Sequence, residues 1–282
     1  MLWEELRADQ FDAAREQSAG VCIIPIGCVE SHGIHLPLGC DVMHVSEFVK
    51  RAAELEPVCV FPPIYFGEKS GAAEFPGTII FPEKLIMDIL EQCCHEIGRN
   101  GFKKILIVSG HGGNASLLGT FARSILQKDV DYHVYVYNEK LQTPQIILEE
   151  KEQYPYLTDE DIKILEDYVD TGKRGGHGCF SETGLLYDVC PNLISLENMN
   201  KRSGVSTRLF SEFGKHGIYT PFGWMGNYPD SYDGDYHEGM NERIAKAMGE
   251  KNTREMAEVF KFLKEETVSM TYHAEWRKKN FR

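Results

Sequence analysis

The 282-residue chain reads as an α/β protein, with a mostly parallel sheet flanked by helices on both faces, in a single domain spanning 1–282. Two observations point to that class. Short β-branched apolar runs of strand length alternate with segments whose apolar residues recur every three or four positions. Strand and helix in alternation favour a parallel sheet with helices packed on its faces. A third observation concerns function. Two histidine-bearing, glycine-rich stretches, 27–41 and 109–114, directly follow apolar runs. Ligands of open α/β sheets collect there, at the carboxyl ends of the strands.

The predicted strands are "GVCIIPIG" (20–27), "VCVFPPIYFG" (58–67), "KKILIVSG" (103–110) and "YHVYVYN" (132–138). Between them, "DVMHVSEFVKRAAELE" (41–56) and "FPEKLIMDILEQCCHEIGRNG" (81–101) carry helical periodicity. The second has proline in its first turn and glycine at its end. "NASLLGTFARSILQK" (114–128) starts with an asparagine suited to capping. Residues 140–172 are charged, lack an obvious strand and form a predicted insertion, on which "TDEDIKILEDYV" (158–169) is a capped amphipathic helix. Residues 205–240, rich in glycine and aromatics, are a second predicted insertion and read as a long ordered loop. A closing helix is predicted to start at Asn252.

Composition narrows the function classes. Thirty basic against forty-three acidic residues give a net charge of −13, a poor match to nucleic acid, whose phosphates call for a basic surface. The polar first twenty residues do not resemble a signal peptide. No stretch approaches the roughly 18 apolar residues of a membrane span. The expectation is a cytoplasmic protein with neither nucleic-acid nor membrane partners. Eight cysteines without a CxxC pair fit reduced, mostly buried thiols rather than a disulfide framework or a zinc knuckle.

The chemistry concentrates in three segments. In "GCVESHGIHLPLGCD" (27–41), Glu30 and His32 sit two residues apart at a strand end, so they project to the same side. Asp41 follows at the start of a helix, where an isolated aspartate would be a simple cap. "SGHGGN" (109–114) supplies His111, in a glycine turn that lets the backbone approach a ligand. "GGHGCFSETG" (175–184) adds His177 and Glu182. Two imidazoles, His32 and His111, with three carboxylates, Glu30, Asp41 and Glu182, suit two divalent metals, with zinc, manganese or iron(II) preferred over calcium or soft copper. A carboxylate such as Asp41 can bridge them. Five ligands for two ions leave positions for water and substrate. His35 is a candidate to hold Glu30 or a substrate by hydrogen bond. His44 reads as a packed or capping residue, and His95, His133 and His273 as structural. His216 and His237 lie in the aromatic segment, where a substrate role competes with a structural one.

Four motifs in order, "GCVESHGIHLPLGCD", "FPGT" (75–78), "SGHGGN" and "HGCFSETG" (177–184), closely resemble the creatininase family of amidohydrolases. The resemblance covers about residues 20–200. It implies the α/β fold already read, a dinuclear metal centre and a homo-oligomer, often a hexamer. By position, Glu30, Asp41 and His111 would hold one ion, and His32, Asp41 and Glu182 the other. His177 falls where the family keeps a histidine near the scissile bond. Gly113 stands where creatininase itself has a glutamate, and Gly71 and Ala72 stand in place of a common Glu-His pair.

The expected reaction is hydrolysis of a non-peptide or cyclic amide C–N bond in a small molecule by a metal-activated water. His177 would protonate the leaving nitrogen, and His177 and Glu182 are the candidate catalytic residues. Backbone N–H groups of Gly112 and Gly113 are candidates to bind the oxyanion. Trp224 either stacks on a flat substrate or packs on its own domain or on a neighbouring subunit. Formamide deformylation, modified-peptide cleavage and metal-dependent isomerisation or epimerisation are the alternatives, as is a binding protein that has kept its site without turnover.

Overall fold

The computed structural model of the chain describes residues 1–139, 143–172, 176–199, 201–234 and 239–281. Helix α1 (Phe11–Gln17) leads into β1 (Val21–Ile26), followed by α2 (Cys40–Leu55), β2 (Cys59–Val60), α3 (Glu83–Arg99), β3 (Lys104–Ser109), α4 (Asn114–Ile125) and β4 (His133–Asn138). The four strands form one parallel sheet in the order β2-β1-β3-β4. Every residue of β1 and β3 is buried, as expected for central strands covered on both faces.

Alternation along those strands divides the interior in two. Val21 and Ile23 of β1, with Leu106 and Val108 of β3, point into a core shared with Val45, Phe48 and Val49 of α2. Cys22, Ile24, Ile26, Ile105 and Ile107 point the other way, against Ile86, Leu90 and Ile97 of α3 and Leu118 and Phe121 of α4. The three-layer α/β sandwich read from the sequence is therefore the fold observed. The chain runs from β1 to β2 on one side and then crosses to β3 on the other. The order thus reverses between β1 and β3, and their carboxyl ends border the crevice where such sheets place ligands.

Much of the rest of the chain packs on the α2 side. After α5 (Thr143–Glu149), helix α6 (Asp159–Asp170) starts at a capping box in which Asp161 N–H donates to Thr158 Oγ1 and Thr158 N–H donates to Asp161. Next come α7 (Phe180–Val189), two short helices, α8 (Ser211–Lys215) and α9 (Gly223–Asn227), the long α10 (Glu242–Glu265) and α11 (Val268–Asn280). No helix among the described residues is long and apolar enough to cross a membrane.

Four expectations need correction. The run 58–67 pairs as a strand only over Cys59–Val60, with one further bridge from Ile64 to Ile26. Pro62 and Pro63 lack the N–H groups that a longer ladder requires. Asn114 is not the cap of its helix. Its side-chain oxygen accepts from Glu68 N–H (2.8 Å) and its amide donates to Ser109 Oγ (3.2 Å), tying the 67–69 segment to the end of β3. The closing helix begins at Glu242, where the Asn241 side chain accepts from the N–H groups of Arg243 and Ile244. Asn252 lies buried inside it. The aromatic segment 205–240 holds α8 and α9 rather than loop alone. His237 lies outside the described residues, and His216 is exposed at the end of α8.

Candidate metal centre

Glu30, His32, Asp41, His111, His177 and Glu182 converge at the carboxyl ends of β1 and β3. Glu30 and His32 lie just past β1, and Glu30 N–H donates to Leu38 carbonyl (2.9 Å), closing the 30–38 loop. That loop delivers Asp41 into the first turn of α2, where it is fully buried and turned into the cluster, so the simple capping role does not hold. His111 follows β3 directly. Glu182 lies in the first turn of α7, and its Oε2 accepts from Gly178 N–H (2.6 Å).

The two imidazoles share one arrangement. His32 Nδ1 donates to its neighbour Glu30's carbonyl (3.2 Å), which turns Nε2 to within 3.0 Å of Asp41 Oδ1 and 3.8 Å of Glu182 Oε2. His111 Nε2 donates to Glu68 carbonyl (2.8 Å), which turns Nδ1 to 3.0 Å from both Glu30 Oε1 and Asp41 Oδ2. In each ring one nitrogen is fixed by a backbone carbonyl and the other faces carboxylates, the arrangement by which proteins orient histidines for metal. Gly113 is needed for this geometry: a Cβ there would lie 2.4 Å from His111 Nε2 and 3.1 Å from the Glu68 carbonyl oxygen.

Electrostatics follow from the crowding. Burial opposes charge on Asp41, but His32 and His111 outweigh it and hold the carboxyl well below the usual range. Burial likewise opposes charge on His32, but Asp41 and then Glu182 outweigh it and raise its pKa. Burial raises Glu182. Burial, with His32 and Lys69 nearby, pushes His177 well below the ordinary histidine value. Carboxylates and ring nitrogens that converge in a buried site are donors suited to a divalent cation. Among the described residues, three groupings bring potential ligand atoms within 4.8 Å of one another: Cys28, Glu30, Asp41 and His111; Glu30, His32 and His177; and His32, Cys40 and Asp41.

His177 stacks on His32 and donates through Nε2 to Ser31 carbonyl (2.6 Å). Trp224, on α9, meets the His177 ring edge to face, with centroids 5.0 Å apart. The Lys69 ammonium lies 4.4 Å from the Trp224 ring centre and 2.5 Å from Glu30 Oε2, so that face of the indole is taken. His35 corrects an expectation: it is 2% exposed and bonds to Gly178 carbonyl (3.0 Å) rather than to Glu30. It supports the turn that carries His177 and Glu182. Gly112 and Gly113 are exposed at the start of α4. Two neighbours escaped sequence reasoning. Cys28 precedes Glu30 by two positions, so the alternation that paired Glu30 with His32 also reaches it. Lys69 arrives on a segment with no periodic signal.

These features define an α/β protein with a candidate metal centre at the switch point of a parallel sheet. The family model of creatininase, described as creatinine amidohydrolase, matches residues 4–260, and the chain belongs to the creatininase family of amidohydrolases. Creatinine amidohydrolase of Pseudomonas putida is 24% identical over 213 residues, 71% of this chain and 74% of that protein. Mycofactocin precursor peptide peptidase of Mycolicibacterium smegmatis is 31% identical over 105 residues, 34% of this chain and 41% of that one. The 3-dehydro-scyllo-inosose hydrolase of Thermotoga maritima is 28% identical over 99 residues, 35% of this chain and 32% of that one. Less than half of the latter two is thus spanned. A crystal structure of creatinine amidohydrolase superposes with a TM-score of 0.68 at 19% identity, covering 94% of this chain and 98% of that one. A structure of the manganese form of creatininase superposes at 0.65, also at 19% identity, covering 92% and 98%. At that identity the likeness shows the fold.

Proposed function

We propose that this chain hydrolyses an amide-type C–N bond, cyclic or otherwise non-peptide, in a small molecule, using two divalent cations. One observation carries the reading: both buried imidazoles are turned by backbone carbonyls so that their remaining nitrogens face the carboxylates of Glu30 and Asp41. Glu30, Asp41 and His111 would hold one ion and His32, Asp41 and Glu182 the other, with Asp41 shared because its two oxygens face different histidines. Zinc, manganese and iron(II) suit these donors. When bound, such ions lower the pKa of water and polarise a carbonyl oxygen.

The chain's own residues do the rest. His177, neutral and donating through Nε2 to Ser31, keeps Nδ1 as an acceptor. In this reading the ring takes a proton from the attacking water and returns it to the leaving nitrogen. A neutral ring has a lone pair to offer before it has a proton to give. Glu182 orients the site by receiving Gly178 N–H. The N–H groups of Gly112 and Gly113 add to oxyanion binding, and Trp224 positions His177 by its edge-to-face contact. Kinship with a creatinine amidohydrolase and a precursor-peptide peptidase supports amide substrates.

The test is metal analysis of purified protein, followed by a panel of cyclic amides, formamides and modified peptides with products read by mass. A gain of one water with two ions per chain is expected. Mass-neutral conversion would instead make the protein an isomerase or epimerase, and metal-loaded protein inert across the panel would return the binding-protein reading. In solution we expect a homo-oligomer, a hexamer by family kinship, located in the cytoplasm.

A further inference from the structure

Cys28 is fully buried one residue beyond Gly27, at the end of β1. Its Sγ lies 2.9 Å from Asp41 Oδ2 and 3.3 Å from Glu30 Oε1. His111 Nδ1 lies 3.0 Å from those same two oxygens. Sulfur, nitrogen and two oxygens thus form a closed group of four, all within 4.8 Å of one another. A tetrahedral zinc ion with bonds of about 2.0–2.3 Å sets its ligands about 3.3–3.7 Å apart. Four of the six separations within this group are 2.9–3.3 Å and need widen by at most about 0.7 Å to surround one.

The hydrogens point the same way. One S–H faces two carboxylate oxygens and can serve only one of them at a time. A cation at the centre satisfies all four donors together. The backbone holds the sulfur in place, because Gly27 abuts the start of α2: a Cβ on Gly27 would lie 2.4 Å from Val42 N. The distance from Cys28 to Asp41 is therefore set by a strand pressed against a helix.

The geometry points to Cys28 as a fourth protein ligand of the cation held by Glu30, Asp41 and His111, bound as thiolate after its proton passes to water. This inference rests on the two-ion reading above and makes the two positions unlike. The first, with four protein donors including a thiolate, is closed and selects zinc over manganese. The second, with His32, Asp41 and Glu182, keeps room for water. The ion that holds the site together and the ion that meets substrate are then different ions.

Cobalt(II) reconstitution of the metal-stripped full-length protein tests this without relying on turnover. Wild type is expected to show a thiolate-to-cobalt charge-transfer band in the near ultraviolet beside the visible d–d bands. The Cys28→Ser variant should lose the charge-transfer band completely and keep the d–d bands. The Cys40→Ser variant, altered at the other buried thiol beside His32 and Asp41, should keep both. Visible bands without charge transfer in wild type, or charge transfer that persists in Cys28→Ser, would overturn the inference and leave the two-ion reading standing. An absence of d–d bands altogether would sink both. If Cys28→Ser does not fold, X-ray absorption of the zinc-loaded wild type decides. A sulfur neighbour at about 2.3 Å is expected, and a shell of nitrogen and oxygen alone would refute it.

Discussion

The imidazole of His177 lies against that of His32, with ring centroids 4.1 Å apart and planes inclined by 24°. Two imidazoles in such contact do not both carry charge comfortably, and the surroundings decide which one does. Asp41 and Glu182 lie beside His32, whereas His177 has the cation of Lys69 nearby. His177 is therefore the neutral partner, available to move a proton. Replacement of His177 by alanine should leave the bound metal in place and lower kcat by about 10² or more, the usual loss for a general acid–base group. Metal content and turnover measured on one preparation check this. An empty site would make His177 a ligand instead.

Among the described residues, Asp41 is the one carboxylate within 3.0 Å of both His32 and His111. Asp41→Asn keeps the shape and removes the charge. It should empty both cation positions and abolish turnover together, as read by metal analysis after dialysis and by the amide assay. Retention of one ion per chain would show that Asp41 does not bridge.

Gly113 sets the orientation of His111. In Gly113→Ala the new methyl group meets both partners of the His111–Glu68 hydrogen bond. Loss of a hydrogen bond that orients a metal-binding histidine typically weakens affinity about 10–100-fold. Titration of metal-free variant and wild type with zinc checks the magnitude, and an unchanged affinity would show that the bond is dispensable.

A second buried pair predicts a pH effect on stability. His44 Nε2 lies 2.6 Å from Glu139 Oε2, and Glu139 also accepts from Asn252 on α10. Burial opposes charge on His44, but Glu139 outweighs it and raises the pKa to about 9. A raised histidine pKa adds stability that is full below the unfolded value, roughly 6.5, and is lost as pH rises through 9. The contribution is up to roughly 3 kcal/mol. Urea midpoints should fall between pH 6.5 and 9.5 in wild type, and His44→Gln should flatten that fall. Parallel curves for the two proteins would rule the pair out as the cause.

Much of this was legible in the sequence because it rests on local patterns. The runs at 20–27 and 103–110 became the two central strands, and the three- and four-residue spacing of 41–56 and 81–101 became α2 and α3. Six chemistry-bearing residues grouped in the sequence by motif are brought together by the fold. What escaped depends on distant contacts. Asn114 looked like a cap, yet its side chain spends its hydrogen bonds on Glu68 and Ser109. Asn252 looked like a helix start, yet it is an interior residue bonded to Glu139 across the molecule. Lys69 reaches Glu30 from a segment whose position is set by Asn114 and Gly67, and no nearby residue announces it.

The side chains of the cluster come from positions 30 to 182, and α7, which carries Glu182, is held in place chiefly by α2 and by α10 near the end of the chain. A pocket assembled in this way is only as firm as the docking of α10. Substitutions that undock α10 would therefore loosen Glu182, although they lie far from it along the chain.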